Sequence, residues 1–292
     1  MTRRRAQVGL WLALLPALSL IGLLMGVSLA YGVAQSLGAL ARSGTSQLSL
    51  DAYRNVLGGT GPAGREFWPA LGFSLWVSLA STGLAAFGAL FIAAALNQCR
   101  YPTKGATLLM LNLNLAFPHL VWAVALSLLL AQSGLLARIA FALGLIEAPA
   151  QFPVLVRDRY GWGIILHYVS KEIPFLLLIV LAVLRTQGAQ YDLVAENLGA
   201  TAWQRLRYVT LPLVLPALAA GSALVFAFVF GAYEVPALLG VRYPRMLTVL
   251  ALEFFTNPDL NRRAEGMAIS LIISLVTLVV VGLGNIQRKT RF

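Results

Sequence analysis

Residues 191–217 read YDLVAENLGATAWQRLRYVTLPLVLPA, a polar segment in an otherwise apolar chain. Overall 59% of the residues are hydrophobic and 11% are charged, and the mean hydropathy is +0.79. Soluble domains contain about a quarter charged residues. The composition therefore predicts an all-α, polytopic membrane protein, and the polar segment is its most informative loop.

The first half of this segment predicts a short helix followed by a turn. Asp192 has a side chain suited to an N-cap, and we expect residues 193–198 to be helical after it. Gly199 should end the helix, because glycine readily adopts the left-handed conformation in which a chain turns at a helix end.

The second half predicts another short helix. Thr201 and Gln204 have the spacing of a capping box, so we expect this helix to run to about Thr210. Pro212 should stop it and begin the next membrane span. Trp203 gives the pair of helices an apolar edge. Such a pair fits a groove in a partner protein, and it equally fits a connector lying on the membrane surface.

The apolar runs outside this segment predict six transmembrane helices, since a span needs about 20 apolar residues. The first run follows three arginines but is too long for a signal peptide, so we interpret it as a retained helix. A shorter run at 135–146 should form an interfacial helix or a packed loop. The predicted spans are 8–34, 71–96, 106–131, 161–184, 213–240 and 266–286.

The distribution of Lys and Arg predicts that both termini are cytoplasmic. With that orientation the inner segments carry 11 basic residues in about 50 positions, and the outer loops carry 10 in about 90. The loop at 185–212, between the fourth and fifth helices, is then cytoplasmic. We expect residues 1–292 to form a single transmembrane domain.

Several functions are excluded. The net charge is +11, but the basic residues flank apolar runs and form no single patch, which argues for membrane lipid and against nucleic acid as the partner. Cys99 is the one cysteine, so an internal disulfide is excluded. The chain contains no phosphate-binding loop, HExxH zinc motif or GxSxG nucleophile turn. We expect no enzyme activity and no metal site.

Two charges lie near the middle of the fourth predicted span. Lys171 and Glu172 cost about 2.5–3.5 kcal/mol each at that depth on insertion scales, so each needs a partner. Adjacent helical residues point about 100° apart, so they are poorly placed to pair with one another. Pro174 should free the carbonyl of Ser170 and kink the helix. A place on a translocation path and a structural ion pair both fit.

Other polar residues in the spans are further candidates for the path. Asn112 and His119 are seven residues apart and should share a helix face, where interhelical hydrogen bonding is the alternative role. Glu234 lies near the outer end of the fifth span beside Pro236. It could meet a cationic substrate there, or pair with a nearby arginine.

The segment LGATAWQ at 198–204, followed by VTLP at 209–212, resembles the signature loop of inner-membrane permease subunits of binding-protein-dependent ABC importers. The thirteen-residue spacing from Gly199 to Pro212 matches as well. In that family the loop is a coupling helix that docks into a cytoplasmic ATPase. The resemblance implies that the coupling residues are Asp192, Glu196, Asn197, Gly199, Ala200, Trp203, Leu211 and Pro212.

The resemblance also implies partners and a location. They are two ATPase subunits that bind ATP and Mg, a second permease or another copy of this chain, and an extracytoplasmic binding protein, around a path in the bacterial inner membrane. This chain itself then needs no cofactor. Residues 231–240 are similar to permeases of the polyamine, ferric iron and thiamine group, which favours a polyamine-like cation as substrate.

One feature departs from the family. Residues 193–195 are Leu-Val-Ala where the family has Glu-Ala-Ala. Asp192 and Glu196 flank this position, and either could replace the glutamate. An ion-gradient-driven secondary transporter is the alternative function, although such transporters usually show paired repeats that are absent here. A scaffold or sensor with a permease fold is also open.

Overall fold

The computed structural model describes residues 2–39, 48–98 and 101–289. This part of the chain contains helices and loops without a β-strand, so the all-α prediction is confirmed. The α-helices are α1 (Thr2–Ser36), α2 (Asp51–Leu57), α3 (Gly61–Gln98), α4 (Tyr101–Ala116), α5 (His119–Leu130), α6 (Leu135–Ala142), α7 (Trp162–Val183), α8 (Ala189–Asn197), α9 (Ala202–Arg205), α10 (Leu211–Gly231), α11 (Glu234–Leu239), α12 (Leu247–Phe255) and α13 (Leu260–Lys289).

Six helical stretches are long and apolar enough to cross a membrane, as the sequence predicts. Their bounds follow the predicted ones closely for the fourth span, whereas the second begins at Gly61 instead of residue 71, and the third and fifth depart further from the prediction. The candidate spans are Ala13–Ser36, Gly61–Leu96, His119–Ala142, Trp162–Thr186, Ala202–Gly231 and Arg262–Gly282.

The predicted third span at 106–131 is not one helix. It is broken at Pro118, where α4 ends at Ala116 and α5 begins at His119. Proline has no N–H group to donate, and it disfavours helical geometry in the residue before it. The short helix expected near 135–146 is confirmed as α6, and the apolar stretch that continues from His119 ends in it.

The predicted fifth span at 213–240 also differs. Helix α10 ends at Gly231, and after an extended residue at Ala232 a separate short helix begins at Glu234. Glu234 therefore lies in the first turn of α11 and not inside the spanning helix.

The chain falls into two compact units. The first comprises Met1–Phe67 with Leu250–Ile272, and the second comprises Trp68–Val249 with Ile273–Phe292. The single domain over residues 1–292 stays a prediction.

Small residues let the helices of the second unit approach closely. Ala85, Ala89 and Ala93 are spaced four apart on α3 and are all buried. At Gly88 on the same helix, a Cβ atom would lie 2.7 Å from the Cδ1 atom of Ile173 on α7. Close packing of small residues is a main source of helix association in membranes. It holds α7, which carries the buried charges, against α3.

Candidate functional site

The segment between the fourth and fifth spans begins differently from the prediction. Helix α7 continues through a π-helical turn at Leu184–Gly188 into α8, which begins at Ala189. Asp192 therefore lies inside the first turn of α8, and its prediction as the N-cap is wrong. The preceding turn already supplies carbonyl partners, so no free helix end exists at residue 192 for a side chain to cap.

The turn at Gly199 is confirmed in detail. Gly199 has φ of +80°, in the left-handed region. Its N–H donates to the Glu196 carbonyl at 2.9 Å, and the Ala200 N–H donates to the Ala195 carbonyl at 3.0 Å. These two hydrogen bonds form a Schellman motif, the usual end of a helix that stops at glycine. A Cβ atom at Gly199 would meet no atom within 4 Å, so backbone conformation alone calls for glycine here.

The capping box that begins α9 is also confirmed. The Thr201 N–H donates to Gln204 Oε1 at 2.8 Å, and the Gln204 N–H donates to Thr201 Oγ1 at 3.3 Å. The helix does not stop at Pro212 as predicted. It continues from α9 through a π-helical turn at Leu206–Thr210 into α10. This wider turn lies directly before Pro212, which has no N–H group to donate. Helices commonly continue past an interrupted hydrogen bond through a turn of this kind.

An ion cluster that the sequence analysis missed joins the two helices of the segment. Arg205 on α9 contacts Glu196 with its Nη1 atom at 2.6 Å and Asp192 with its Nε atom at 3.6 Å. Both acids that could replace the family's glutamate are therefore bound within the chain. Two acids four residues apart on one helix, followed by a basic residue beyond the turn, form a sequence pattern that could have predicted this ion cluster.

The rest of the segment presents apolar side chains. Leu198 is 82% exposed and Trp203 is 66% exposed, and Asn197 and Ala200 lie beside them at the turn. A cleft of about 480 Å³ opens between α8 and the start of α10. Pro212 lines this cleft, and Leu211 precedes it in the sequence. Its lining residues are Tyr191, Val194, Ala195, Leu198, Tyr208, Val209, Pro212 and Leu213.

The buried charges occupy a second polar region, within the spans. Lys171 is 2% exposed, and its Nζ atom donates to the carbonyls of Asn114 at 2.6 Å and Phe117 at 2.7 Å. These carbonyls lie at and just beyond the end of α4, where Pro118 interrupts the helix, and the Asn114 carbonyl also accepts from the Phe117 N–H at 3.3 Å. Lys171 therefore acts as the cap of a broken helix, a partner type that the sequence analysis did not foresee.

A second interaction satisfies the carbonyl that Pro174 leaves free within α7, which is continuous from Trp162 to Val183. Pro174 cannot donate to the Ser170 carbonyl, and the Nδ2 atom of Asn114 donates to that carbonyl at 2.8 Å instead. Trp122 Nε1 donates to Ser170 Oγ at 2.8 Å, and this hydroxyl donates to the His167 carbonyl at 2.8 Å. Side chains of α4 and α5 thus bind α7 near Pro174, and Lys171 of α7 binds the main chain near Pro118.

Beside this joint lies a cluster of aromatic and ionisable side chains. His119 Nδ1 and His167 Nε2 are 3.2 Å apart, and His119 Nε2 lies 3.9 Å from Glu172 Oε1. The Tyr168 ring packs edge-on against that of His167 and near that of Phe228. The side chain of His119 is 31% exposed, whereas His167 and Tyr168 are fully buried. Phe228 is 47% exposed, and His119 is the accessible member among the ionisable side chains of this cluster.

The other predicted path residues have different positions. Glu234 is exposed in the first turn of α11. The side chain of Asn112 lies outside the part of the chain that the structure describes. Because Pro118 breaks the helix, the seven-residue spacing no longer places Asn112 and His119 on one face. Among the described residues, no set of three His, Cys, Asp or Glu side chains could hold a metal ion.

Comparison with known proteins identifies the family. Residues 89–288 match the family described as binding-protein-dependent transport system inner membrane component. The molybdenum transport system permease protein ModB of Mycobacterium tuberculosis (strain ATCC 25618 / H37Rv) is 30% identical over 223 residues, which cover 74% of this chain and 78% of that protein. The sulfate transport system permease protein CysT of Escherichia coli (strain K12) is 29% identical over 65% of this chain and 66% of its own length.

Another relative is longer. The inner membrane ABC transporter permease protein YnjC of Escherichia coli (strain K12) is 32% identical over 71% of this chain, but the match spans 39% of its length. A crystal structure of a bacterial ABC transporter involved in alginate import has the same fold, with a TM-score of 0.71, 16% identity and coverage of 96% of this chain and 98% of that chain.

The relatives are named as transport permeases, in agreement with the expectation that this chain is not an enzyme. The family match covers more than half of the chain and includes the turn at Gly199, the capping box and both broken helices. This chain therefore belongs to the binding-protein-dependent transport system inner membrane components, as a permease subunit of an ABC importer.

Proposed function

We propose that this chain forms part of a solute path across the bacterial inner membrane and transmits the work of a separate ATPase to that path. The observation that carries the proposal is the exposed helix-turn-helix around Gly199, whose Schellman turn and capping box give it a defined shape. A defined, exposed segment with apolar side chains at its tip suits a groove in a partner.

The partners follow from this assignment. ATP and Mg bind to the ATPase subunits, because this chain has no phosphate-binding loop of its own. A second permease, identical or different, completes the path. An extracytoplasmic binding protein delivers the solute, as the family description suggests. The density of Lys and Arg in the inner segments supports an orientation with both termini and the coupling segment in the cytoplasm.

For the path itself, the exposure of the polar cluster favours His119 as the group that meets the solute. Lys171 is buried and both of its described hydrogen bonds serve the end of α4. Glu172 is 7% exposed and lies behind His119. Glu234 is exposed in the first turn of α11 and stays a second candidate for the path. Asn112 stays a prediction.

We propose a small polar solute, and we favour an anion over the polyamine-like cation that the sequence analysis expects. Two relatives are named for molybdenum and sulfate transport, and another is named for 2-aminoethylphosphonate. Sulfate and phosphonate carry negatively charged oxygens. A polyamine receives no support from these names, and Glu172, which would have suited a cation, is largely covered.

Uptake into proteoliposomes tests the proposal. The chain is purified with the proteins that accompany it from its native membranes and reconstituted with its binding protein outside and ATP inside. We expect uptake that requires ATP hydrolysis and that ionophores do not abolish. Molybdate, sulfate and 2-aminoethylphosphonate should compete for uptake more strongly than putrescine or spermidine. Uptake that needs an ion gradient and no ATP would establish the secondary-transporter alternative instead.

A further inference from the structure

We propose that Arg205 is a positioning residue that sets the angle of the coupling segment by binding Asp192 and Glu196 together. This inference rests on the proposed coupling function and names a part of the mechanism that the family signature lacks. We refer to the side chains of Arg205, Asp192 and Glu196 together as the Arg205 clamp.

The geometry of the clamp is that of a strong interaction. The 2.6 Å contact between Arg205 Nη1 and Glu196 Oε2 is a short, charge-assisted hydrogen bond, and Nε of the same guanidinium faces Asp192 at 3.6 Å. Asp192 and Glu196 are four residues apart on α8, so their like charges would repel without the guanidinium between them. The planar guanidinium group of arginine, with its several N–H donors, suits contact with two carboxylates better than the ammonium group of lysine does.

The clamp crosses the bend at Gly199. Helix α9 buries none of its four residues, and it continues through the π-helical turn into α10. The bend at Gly199 is open, with no atom near the position of a Cβ. The capping box fixes where α9 begins, but its hydrogen bonds link residues of α9 and its cap to each other and not to α8. The Arg205 clamp is therefore the polar link between the two helices among the described residues.

The clamp also decides what the segment offers to a partner. Both acids are engaged inside the chain, and the Arg205 side chain is 22% exposed. The largest exposed apolar side chains at the turn are Leu198 and Trp203, among polar residues such as Asn197 and Gln204. We expect the ATPase groove that accepts this segment to contact mainly the apolar side chains, while the two acids stabilise the angle between α8 and α9 through Arg205.

Arg207 provides a matched control on the same segment. It carries the same charge two residues further along and is exposed, and its guanidinium lies 5.8 Å from the ring centre of its neighbour Tyr208. No described ion pair joins it to either acid. Arg207→Ala therefore changes the charge of the segment as much as Arg205→Ala does, and leaves the clamp intact.

The test uses the full transporter in proteoliposomes and compares the two alanine variants with Arg205→Lys and the charge exchange Arg205→Glu with Glu196→Arg. Three quantities are measured: the amount of ATPase subunit that co-purifies, the rate of ATP hydrolysis and the solute transported per ATP. Arg205→Ala should lower transport per ATP by about 2- to 30-fold, the range that coupling mutations span, while the ATPase still co-purifies. Arg205→Lys and the charge exchange should recover part of the loss, and Arg207→Ala should behave as the wild type.

Three outcomes would overturn the inference. Equal transport per ATP in the two alanine variants would show that the clamp does not set the coupling. Loss of the ATPase from the Arg205→Ala preparation would make Arg205 a docking contact instead of a positioning residue. A charge exchange that recovers nothing while the ATPase stays bound would show that pairing is not what matters. A wild-type preparation without ATP-driven uptake would instead refute the proposed function, and the two failures are thus distinguishable.

Discussion

Gly199 allows the coupling proposal to be tested by backbone conformation alone. Its φ of +80° lies in the left-handed region, and no atom stands within 4 Å of the position of a Cβ. A substitution therefore meets no steric obstacle within the chain, and its effect comes from φ. For an L-residue other than Asn or Asp the left-handed conformation costs about 1–2 kcal/mol. Such a cost reduces the population of the native turn relative to other conformations by about 5- to 30-fold.

This reasoning predicts an order among variants at this position. Gly199→Ala and Gly199→Glu should impair ATP-driven uptake to a similar degree, because both adopt a positive φ poorly. Gly199→Asn should be milder, since Asn adopts the left-handed conformation more readily. Gly83→Ala is a matched control, because Gly83 lies within helix α3 at an ordinary helical φ and has equally open space around it.

The assay is uptake in proteoliposomes, with insertion and ATPase co-purification measured in parallel. Normal uptake by both Gly199→Ala and Gly199→Glu would refute the role of the turn. An Asn variant that is more impaired than the Ala variant would show that side-chain volume at the partner surface, and not φ, governs the effect.

Other predictions concern the proline joint, the cap and the polar cluster. Asn114→Leu leaves the carbonyl that Pro174 frees without its donor, so the loss should be about 1–3 kcal/mol. In the Pro174→Ala background, where a helical N–H is restored, the same change should cost clearly less; additive shifts in thermal unfolding would contradict this. Lys171→Met should lower the unfolding temperature because the carbonyls of Asn114 and Phe117 lose the ammonium group that donates to them, and an unchanged temperature would remove its role as a cap. Thr201→Ala should destabilise the start of α9 by about 0.5–2 kcal/mol, seen as faster hydrogen exchange there than in the wild type. His119→Gln should slow uptake without loss of assembly, and wild-type rates would take His119 off the path.

Much of the coupling segment was predictable because its signals are local. A glycine after a short helix, and Thr and Gln three residues apart, act through hydrogen bonds within one turn of chain, so Gly199 and Thr201 were assigned from their neighbours. The start of α8 was missed for a related reason. Asp192 has the chemistry of a cap, but the chain before it continues as helix from the fourth span, which residue preference does not reveal.

The contacts near the two prolines could not be predicted from the sequence. Pro118 and Pro174 were visible, and a kink at Pro174 was expected. The side chains that satisfy the freed carbonyls were not identified, since Asn114 and Ser170 are 56 residues apart. Their meeting depends on how α4 and α7 pack. For the same reason the sequence predicted only that Lys171 needs a partner, and the structure shows that its partners are main-chain carbonyls at the end of α4.

The sequence by itself determined that this is a membrane protein of six helical spans with a coupling segment between the fourth and fifth, because hydropathy and turn chemistry are read within a few residues along the chain. The tertiary structure alone decided that Arg205 binds both acids, that Lys171 caps α4, and that His119 is the accessible ionisable member of its cluster. Burial and pairing in these three cases depend on which helix faces bring distant residues within 4 Å, and residues on different helices carry no local mark of that approach.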